Sequence, residues 1–225
     1  FDEVEGPEDG LGPLYNAQSC RECHQTVVSG GVSQVTELRV GHTDVRGHFV
    51  NPNITIADGA FTVMNRSLVN DRAICPNADF PNLNIQEQAP PTEHVHTLRS
   101  SLNLLGDGFV EAVADVDLLA IAAKQRQETH GEVHGQAILV DVLEAPGTKR
   151  VGRFGWKDQH ASLLSFAADA YLNEMGFTSR LFPNEVTTLC NPNGVQEPND
   201  RVGKDGLTDI DHFALFMRAP KAPPR

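Results

Sequence analysis

The chain has 225 residues, of which 40% are hydrophobic and 6% aromatic, and its formal net charge is −12. This length allows one large domain or two small ones. The acidic charge argues against nucleic acid and anionic membranes as partners. No apolar run approaches the roughly 18 residues that a transmembrane helix requires, so we expect a protein that does not span the membrane.

The first feature in chain order is a Cys-x-x-Cys-His sequence formed by Cys20, Cys23 and His24. Two cysteines at this spacing, followed directly by a histidine, are the attachment sequence of a c-type haem. The thiols bond to the porphyrin vinyl groups, and the imidazole supplies the proximal nitrogen to the iron. A redox dithiol or half of a zinc site is the alternative, although the other two cysteines are single. The motif therefore predicts one covalently attached haem c, on a short helix.

The stretch that follows the motif contains weak strand patterns separated by turns. β-branched residues with partial alternation predict a short strand over residues 32–40, and residues 61–68 form a second strand or extended segment. Asn-Pro and Asp-Gly turns predict a loop over residues 43–61, and residues 70–92 form a long loop. A short helix is predicted over residues 97–105.

The second half of the chain has clearer helical periodicity. Apolar residues recur at spacings of three and four, Gly176 is placed to end the longest helix, and Thr208 with Asp211 resembles a capping box. The predicted elements are a helix over residues 116–127, a β-hairpin formed by 136–142 and 149–156, a long helix over 159–175 and a last helix over 208–218.

These elements together predict a mainly α, cytochrome c-like haem domain with long loops and one small β-hairpin. We expect residues 1–218 to form this single domain. Residues 219–225 are rich in proline and are predicted as a linker or tail towards a second haem domain.

The remaining cysteines, Cys75 and Cys190, both lie in stretches rich in proline and asparagine. A disulfide between them would close a loop of over a hundred residues, whereas the alternative is two unrelated thiols. Haem c is attached outside the cytoplasm, where disulfides also persist. We therefore expect an exported protein, periplasmic or extracellular, with this bridge formed.

Several stretches resemble the bacterial di-haem oxidoreductases, a peroxidase-like family that is distantly similar to di-haem cytochrome c peroxidases. The most specific after the haem motif is Gly-Arg-Phe-Gly-Trp-Lys at residues 152–157. The matching stretches are residues 10–16 leading into the motif, 98–100, 104–106 and 109–113, 152–157 with 162–163, and 174–178. The resemblance extends from about residue 10 to residue 218.

The resemblance implies a peroxidase or other oxidoreductase that receives electrons from a partner cytochrome or a second haem domain. Members of this family carry a second Cys-x-x-Cys-His motif, whereas this sequence contains one. We therefore expect a fragment, a proteolysed half or a one-haem relative. The alternative function is a mono-haem electron-transfer cytochrome, or a subunit of an electron-transfer assembly outside the cytoplasm.

The sixth ligand of the iron is predicted to be Met175, because a thioether late in the chain is the usual c-type arrangement. The alternative for Met175 is a core residue on the apolar stripe of its helix. Other histidines are weaker candidates for the ligand, and each is also typical of a surface or structural residue. These histidines are His42, His94, His96, His130, His134 and His160.

Peroxide cleavage would need a group that moves a proton and a cation that stabilises the leaving charge. Glu111 and Arg153 are the candidates, with Lys157 in reserve, although a solvated carboxylate and a surface ion pair are the alternatives. Trp156, the only tryptophan, is a candidate electron-transfer station, or else a packing residue beside the cofactor.

Overall fold

The computed structural model describes residues 1–56, 61–64, 66–74, 86–185 and 198–222. The elements in these ranges are short, with 24% of the structure in helices and 21% in strands. Cys75 and Cys190 lie outside the described residues, so the disulfide between them stays a prediction. In the described ranges, no helix is both long enough and apolar enough to cross a membrane.

The helices of the described chain lie mostly in its second half. They are α1 (Cys20–Cys23), α2 (Asp107–Ala112), α3 (Asp115–Glu128), α4 (Leu163–Met175) and α5 (Asp209–Arg218).

The α4 and α5 helices form the centre of the larger core, and their ends follow the sequence signals. The Ser165 amide donates to the Ser162 side chain at 3.0 Å and so caps the start of α4. Gly176 ends α4 in the left-handed conformation, with φ 72°. Thr208 and Asp211 form the capping box of α5. The predicted long helix, its glycine stop and the last helix are confirmed.

The strands are two to eight residues long and lie mainly in the first hundred residues. They are β1 (Leu14–Tyr15), β2 (Thr36–Thr43), β3 (Phe49–Val50), β4 (Asn53–Ile56), β5 (Phe61–Met64), β6 (Leu68–Val69), β7 (Arg72–Ala73), β8 (Glu87–Gln88), β9 (Val95–Ser100), β10 (Leu139–Asp141) and β11 (Lys149–Val151).

The β2 strand is the centre of the largest sheet, in which it pairs antiparallel with β3, β6 and β9. The β2–β9 register runs from Thr36 opposite Ser100 to Gly41 opposite Val95. A second sheet has the order β5-β4-β8, and β1 pairs with β7. The β10 and β11 strands form the predicted hairpin.

Two apolar clusters make up the described core. The larger contains the buried faces of α4 and α5 together with Leu11, Leu104 and Phe154. The smaller lies among the sheets and includes Leu14, Val40, Ile54, Ile56, Val63 and Val69. Since Leu11 belongs to one cluster and Leu14 to the other, the segment before the haem motif joins the helical and β parts.

The predicted mainly α, cytochrome c-like fold is wrong. Residues 97–105, predicted as a helix, instead contribute to β9, and the predicted loop over 43–61 contains β3 and β4. For β9 the physical reason is that its hydrogen-bond partner, β2, lies about 60 residues away in sequence, whereas β3 and β4 pair with neighbouring strands but are only two and four residues long. A local hydrophobic period carries no information about such partners.

The first residues of the predicted linker pack against the folded part of the chain. The amide of Gly106, at the start of α2, donates to the carbonyl of Pro220 at 3.0 Å. A Cβ at Gly106 would also lie 3.0 Å from the Cβ of Ala222. Residues 219–222 therefore follow the surface of the domain at α2.

Candidate functional site

The segment before the haem motif is hydrogen-bonded to the carboxyl end of α4. The amide of Gly12 donates to the carbonyl of Met175 at 3.1 Å, and the amides of Asn16 and Ala17 donate to that of Glu174 at 2.7 and 3.3 Å. These bonds satisfy carbonyls that a helix end leaves without partners. They also bring the Cys-x-x-Cys-His motif, nearly 150 residues away in sequence, beside Met175.

The motif itself is held by backbone hydrogen bonds on both sides. The amide of His24 donates to the carbonyl of Cys20 at 3.0 Å and closes the single turn of α1, and the amide of Gly30 donates to the carbonyl of His24 at 2.9 Å. The hydroxyl of Ser101, just past β9, donates to the carbonyl of Cys23. The β2–β9 sheet therefore helps to position the motif.

A cavity lies between α1, α4 and α5. Its wall is predominantly apolar, and the groups that can donate or ligate are few. The apolar lining is Phe1, Ala17, Leu104, Phe166, Ala167, Ala170, Tyr171, Phe213 and Met217, and the remaining lining is Ser19, Cys20, Cys23, His24, Glu174 and Met175.

The two thiols are free and protonated in this environment. Burial is the main reason that the pKa of each is raised to about 12. A reactive redox dithiol needs a lowered thiol pKa, and a zinc site needs thiolates. No group of three or more His, Cys, Asp and Glu side chains among the described residues could hold a metal ion. The raised thiol pKa argues against a reactive redox dithiol at this position.

The imidazole of His24 is buried beside the cavity. Burial lowers its pKa, an effect that the backbone at Leu102 and Gly31 partly opposes. Its Nδ1 atom is buried and has no hydrogen-bond partner in the described chain. A neutral imidazole is the form that binds iron, so His24 beside this apolar cavity is suited to that role.

Met175, the predicted sixth ligand, is the last residue of α4 and is 3% exposed. It lines the same cavity as His24 and the two cysteines. The structure thus brings together all four of the predicted haem-binding residues, although the thioether also packs in the larger apolar cluster.

The sequence analysis missed a buried pair of carboxyl groups at this cavity. Glu174 lines the cavity and shares a hydrogen bond with Glu37 of β2. Burial, followed by repulsion from Glu37, raises the pKa of Glu174 well above its usual range. Only the strand assignment of residues 36–43 could have placed Glu37 here, because the two residues are far apart in sequence.

Arg153, predicted to stabilise charge during peroxide cleavage, does not line the cavity. Its side chain is 4% exposed and bonds to the Asp115 carboxylate. It also donates to the carbonyl of Val113 at 2.5 Å and to that of Val151 at 3.1 Å. These contacts join the end of α2, the start of α3 and β11, which supports a structural role. The peroxide role stays a prediction.

Glu111, the predicted proton-transfer group, also lies away from the cavity lining. It accepts two hydrogen bonds from Arg218, at 2.6 and 2.9 Å, and one from the amide of Leu163 at 2.8 Å. These bonds lower the pKa of Glu111 against the opposing effect of its burial. Glu111 therefore connects α2 to the start of α4 and the end of α5, and its catalytic role stays a prediction.

Trp156 is 49% exposed and lines a second pocket, which adjoins the cavity at Cys23 and His24. The guanidinium of Arg99 lies over its ring, 5.6 Å from the centroid. Trp156 is therefore a rim residue with one side in solvent, and not a core residue.

The alternative histidine ligands do not line the cavity. His42 pairs with Glu93 at 2.8 Å, and His160 pairs with Asp169 at 3.3 Å. His94 directly precedes β9 and His96 lies within it. His130 and His134 lie on the exposed segment after α3. Lys157, the reserve candidate, is exposed and also lies outside the lining.

The observed site fits a haem in its apolar wall, its imidazole and thioether side chains, and its adjacent pair of thiols. An imidazole and a thioether that share one apolar cavity are typical of haem redox proteins.

Comparison with known proteins agrees with the class of haem redox proteins. The family model described as "di-haem oxidoreductase, putative peroxidase" matches residues 39–192, and the chain belongs to this family. The predicted family is confirmed, and membership implies a haem cofactor and a redox role. The matched range begins after the Cys-x-x-Cys-His motif. No curated protein and no solved structure matches the chain.

Proposed function

We propose that this chain is the haem c-bearing part of a di-haem oxidoreductase, in which its haem receives and passes on single electrons. The observation that carries the proposal is the convergence of Cys20, Cys23, His24 and Met175 on one apolar cavity. When bound there, the haem supplies one-electron chemistry at its iron.

Cys20 and Cys23 would hold the cofactor through thioether bonds to its vinyl groups. The single turn of α1 presents both thiols to the same cavity.

His24 and Met175 would hold the iron through an imidazole nitrogen and a thioether sulfur. The apolar lining would exclude water from the cofactor, and the thioether would favour the reduced iron. With both side chains holding the iron, the site would be suited to electron transfer. Reduction of peroxide or another small oxidant then belongs to a second haem of the oxidoreductase.

The partner is an electron-donor or electron-acceptor protein, or a second haem domain. Trp156 is the proposed point of exchange, since one side of it is exposed and its pocket adjoins Cys23 and His24. Because thioether attachment takes place outside the cytoplasm, we place the protein in the periplasm or outside the cell. The Cys75–Cys190 disulfide is part of this proposal and agrees with that compartment.

Optical spectra of the oxidised and reduced holoprotein test this assignment. Methionine coordination predicts a low-spin ferric spectrum with a sulfur-to-iron band in the red, unchanged by peroxide. A high-spin ferric spectrum that shifts when peroxide or cyanide is added would overturn the electron-transfer role and favour an enzyme site at this cavity. The mono-haem alternative differs in having one haem per functional unit, which haem and protein assays of the native complex measure.

A further inference from the structure

A second pocket adjoins the haem cavity and differs from it in chemistry. It has a volume of about 650 Å³, and Cys23, His24, Phe166 and Glu174 line both spaces. Arg39, Arg99 and Trp156 are on its other side. The proposed function assigns a role to Trp156 but leaves the two arginines without one.

The two arginines share a face of the β2–β9 pair. Glu37 lies directly opposite Arg99 in the register, and Arg39 is two residues further along β2. Side chains two residues apart on a strand point to the same face of the sheet. Both guanidinium groups are therefore presented to one pocket.

The carboxylates of this pocket are already engaged. Glu37 accepts from Nη2 of Arg39 at 2.7 Å and shares a hydrogen bond with Glu174. Asp169 lies 3.3 Å from the imidazole of His160. Among the described residues, no carboxylate lies at hydrogen-bond distance from Arg99.

The two arginines, in contrast, have N–H groups without a hydrogen-bond acceptor among the described residues. Within the described residues Arg99 forms no ion pair or hydrogen bond, and its contact is the ring of Trp156. The Nε atom of Arg39 is buried and has no partner in the same part of the chain. Burial and the adjacent charge of Arg39 lower the pKa of Arg99, with Glu37 partly opposing them. An anion in the pocket would relieve this repulsion.

We propose that Arg99, together with the Nε–H of Arg39, forms a carboxylate-binding subsite beside the haem cavity. Planar guanidinium groups bind carboxylates through paired, charge-assisted hydrogen bonds. The carboxylate has two possible sources, a propionate of the haem or a free small carboxylate. The first source rests on the proposed function, whereas the second does not.

The first arm of the test examines the haem propionates. Resonance Raman spectra of the holoprotein report the propionate bending band, which responds to hydrogen bonding. A propionate at the subsite predicts that Arg99→Met shifts this band and that Arg99→Lys shifts it less, because lysine keeps the charge but lacks the planar fork. Arg126→Met, which removes an exposed arginine of α3, is the matched control and leaves the band unchanged.

The second arm examines a free carboxylate. The holoprotein is titrated with sodium acetate, against sodium chloride at equal ionic strength, while the emission of Trp156, the only tryptophan, is followed. An exchangeable carboxylate predicts a saturable change with acetate whose midpoint rises at least tenfold in Arg99→Met. The Arg126→Met control keeps the midpoint of the wild type.

A response in either arm supports the subsite and identifies its ligand. Identical propionate bands in wild type and Arg99→Met, together with no saturable response to acetate, would overturn it. Circular dichroism checks that each variant is folded. If Arg99→Met does not fold, Arg99→Lys replaces it in both arms. Failure of the proposed function is recognised separately, since a chain without haem gives no haem Raman spectrum.

Discussion

At the scale of single residues, Arg153 has all three nitrogens of its guanidinium engaged by protein oxygens. Nε donates to Val151, Nη1 to the carbonyls at the end of α2, and Nη2 to Asp115. Replacing Arg153 would leave the carbonyls that it bonds without a donor, at a cost of about 1–3 kcal/mol, while Asp115 keeps its contacts with Arg150 and the Val151 amide. The planar, forked guanidinium of arginine can make all of these hydrogen bonds at once, whereas the ammonium of lysine supplies the charge without that geometry.

We therefore expect Arg153→Met to lower the free energy of unfolding by about 1–3 kcal/mol, and Arg153→Lys to recover only part of that loss. Denaturant unfolding of the holoprotein measures both, with Arg126→Met as a surface control. If Arg153→Met kept its stability but lost peroxide turnover, the catalytic role predicted from the sequence would be favoured over the structural one.

A second residue-scale prediction concerns Met175. Leucine has a similar volume, so Met175→Leu should cost less than about 1.5 kcal/mol of stability. It removes the sulfur, and we expect the ferric spectrum to become high-spin and to respond to cyanide. A red sulfur-to-iron band that persists in this variant would mean that Met175 is a packing residue.

The four residues proposed to bind haem, which the structure brings to one cavity, have local signals in the sequence: the spacing of the motif, and a methionine at the end of a periodic helix. Glu37, Arg39 and Arg99 could not be predicted as site residues. Their position depends on the pairing of β2 with β9, which brings together segments some 60 residues apart. The residues next to them in sequence are typical of an exposed strand and give no sign of a binding site.

At the scale of elements, the junction between the N-terminal segment and α4 controls the distance between the motif and Met175. Gly12 and Gly176 approach closely there, since a Cβ on Gly12 would lie 2.2 Å from the carbonyl oxygen of Gly176. That atom belongs to the backbone and cannot rotate away. The segment itself would have to move.

Gly12→Ala is therefore expected to lower the free energy of unfolding by about 1–3 kcal/mol, as for other overpacked sites. It should also lower the low-spin fraction of the ferric spectrum, because the motif moves relative to Met175. Gly135→Ala is the matched control, since Gly135 lies outside the left-handed region and the nearest atom to its added Cβ is the flexible end of the Gln125 side chain, at 3.1 Å. A Gly12→Ala protein with wild-type spectrum and stability would contradict this account of the junction.

The helices and the hairpin were predictable because their partners are local: the bonds of α4 and the β10–β11 pair lie within a short stretch of chain. Of the remaining strands, β2 and β5 overlap the predicted strands, whereas β1, β7 and β9 were missed because β1 pairs with β7 and β9 pairs with β2, far along the chain. Strands of two to four residues are also too short for alternation to be recognised. The mainly α prediction failed for this reason.

At the scale of the whole molecule, several carboxyl groups are buried without adequate compensation in an already acidic protein. Burial raises the pKa of Asp107 to about 6, and burial with neighbouring acids raises that of Glu5 to about 7. An acid whose pKa is higher in the folded state binds more protons there than in the unfolded chain. Stability is therefore lost as pH rises from about 4, where the unfolded carboxyls ionise, to about 7.

We accordingly expect the melting temperature of the holoprotein to fall between about pH 4 and pH 7. Asp107→Asn removes one of the responsible groups, and should raise the melting temperature at pH 7 by about 2–4 °C while leaving it unchanged at pH 4. Asp117→Asn, an exposed acid at the start of α3, is the control. A gain from Asp107→Asn that was equal at both pH values would show that ionisation is not its cause.

The most direct test of the haem assignment is the mass of the peptide that contains residues 20–24. The protein is produced with its own export and cytochrome-maturation machinery, denatured and digested. We predict that this peptide carries the mass of one haem, and that the Cys20→Ser Cys23→Ser variant carries none. A peptide of unmodified mass from the wild-type protein would contradict the account.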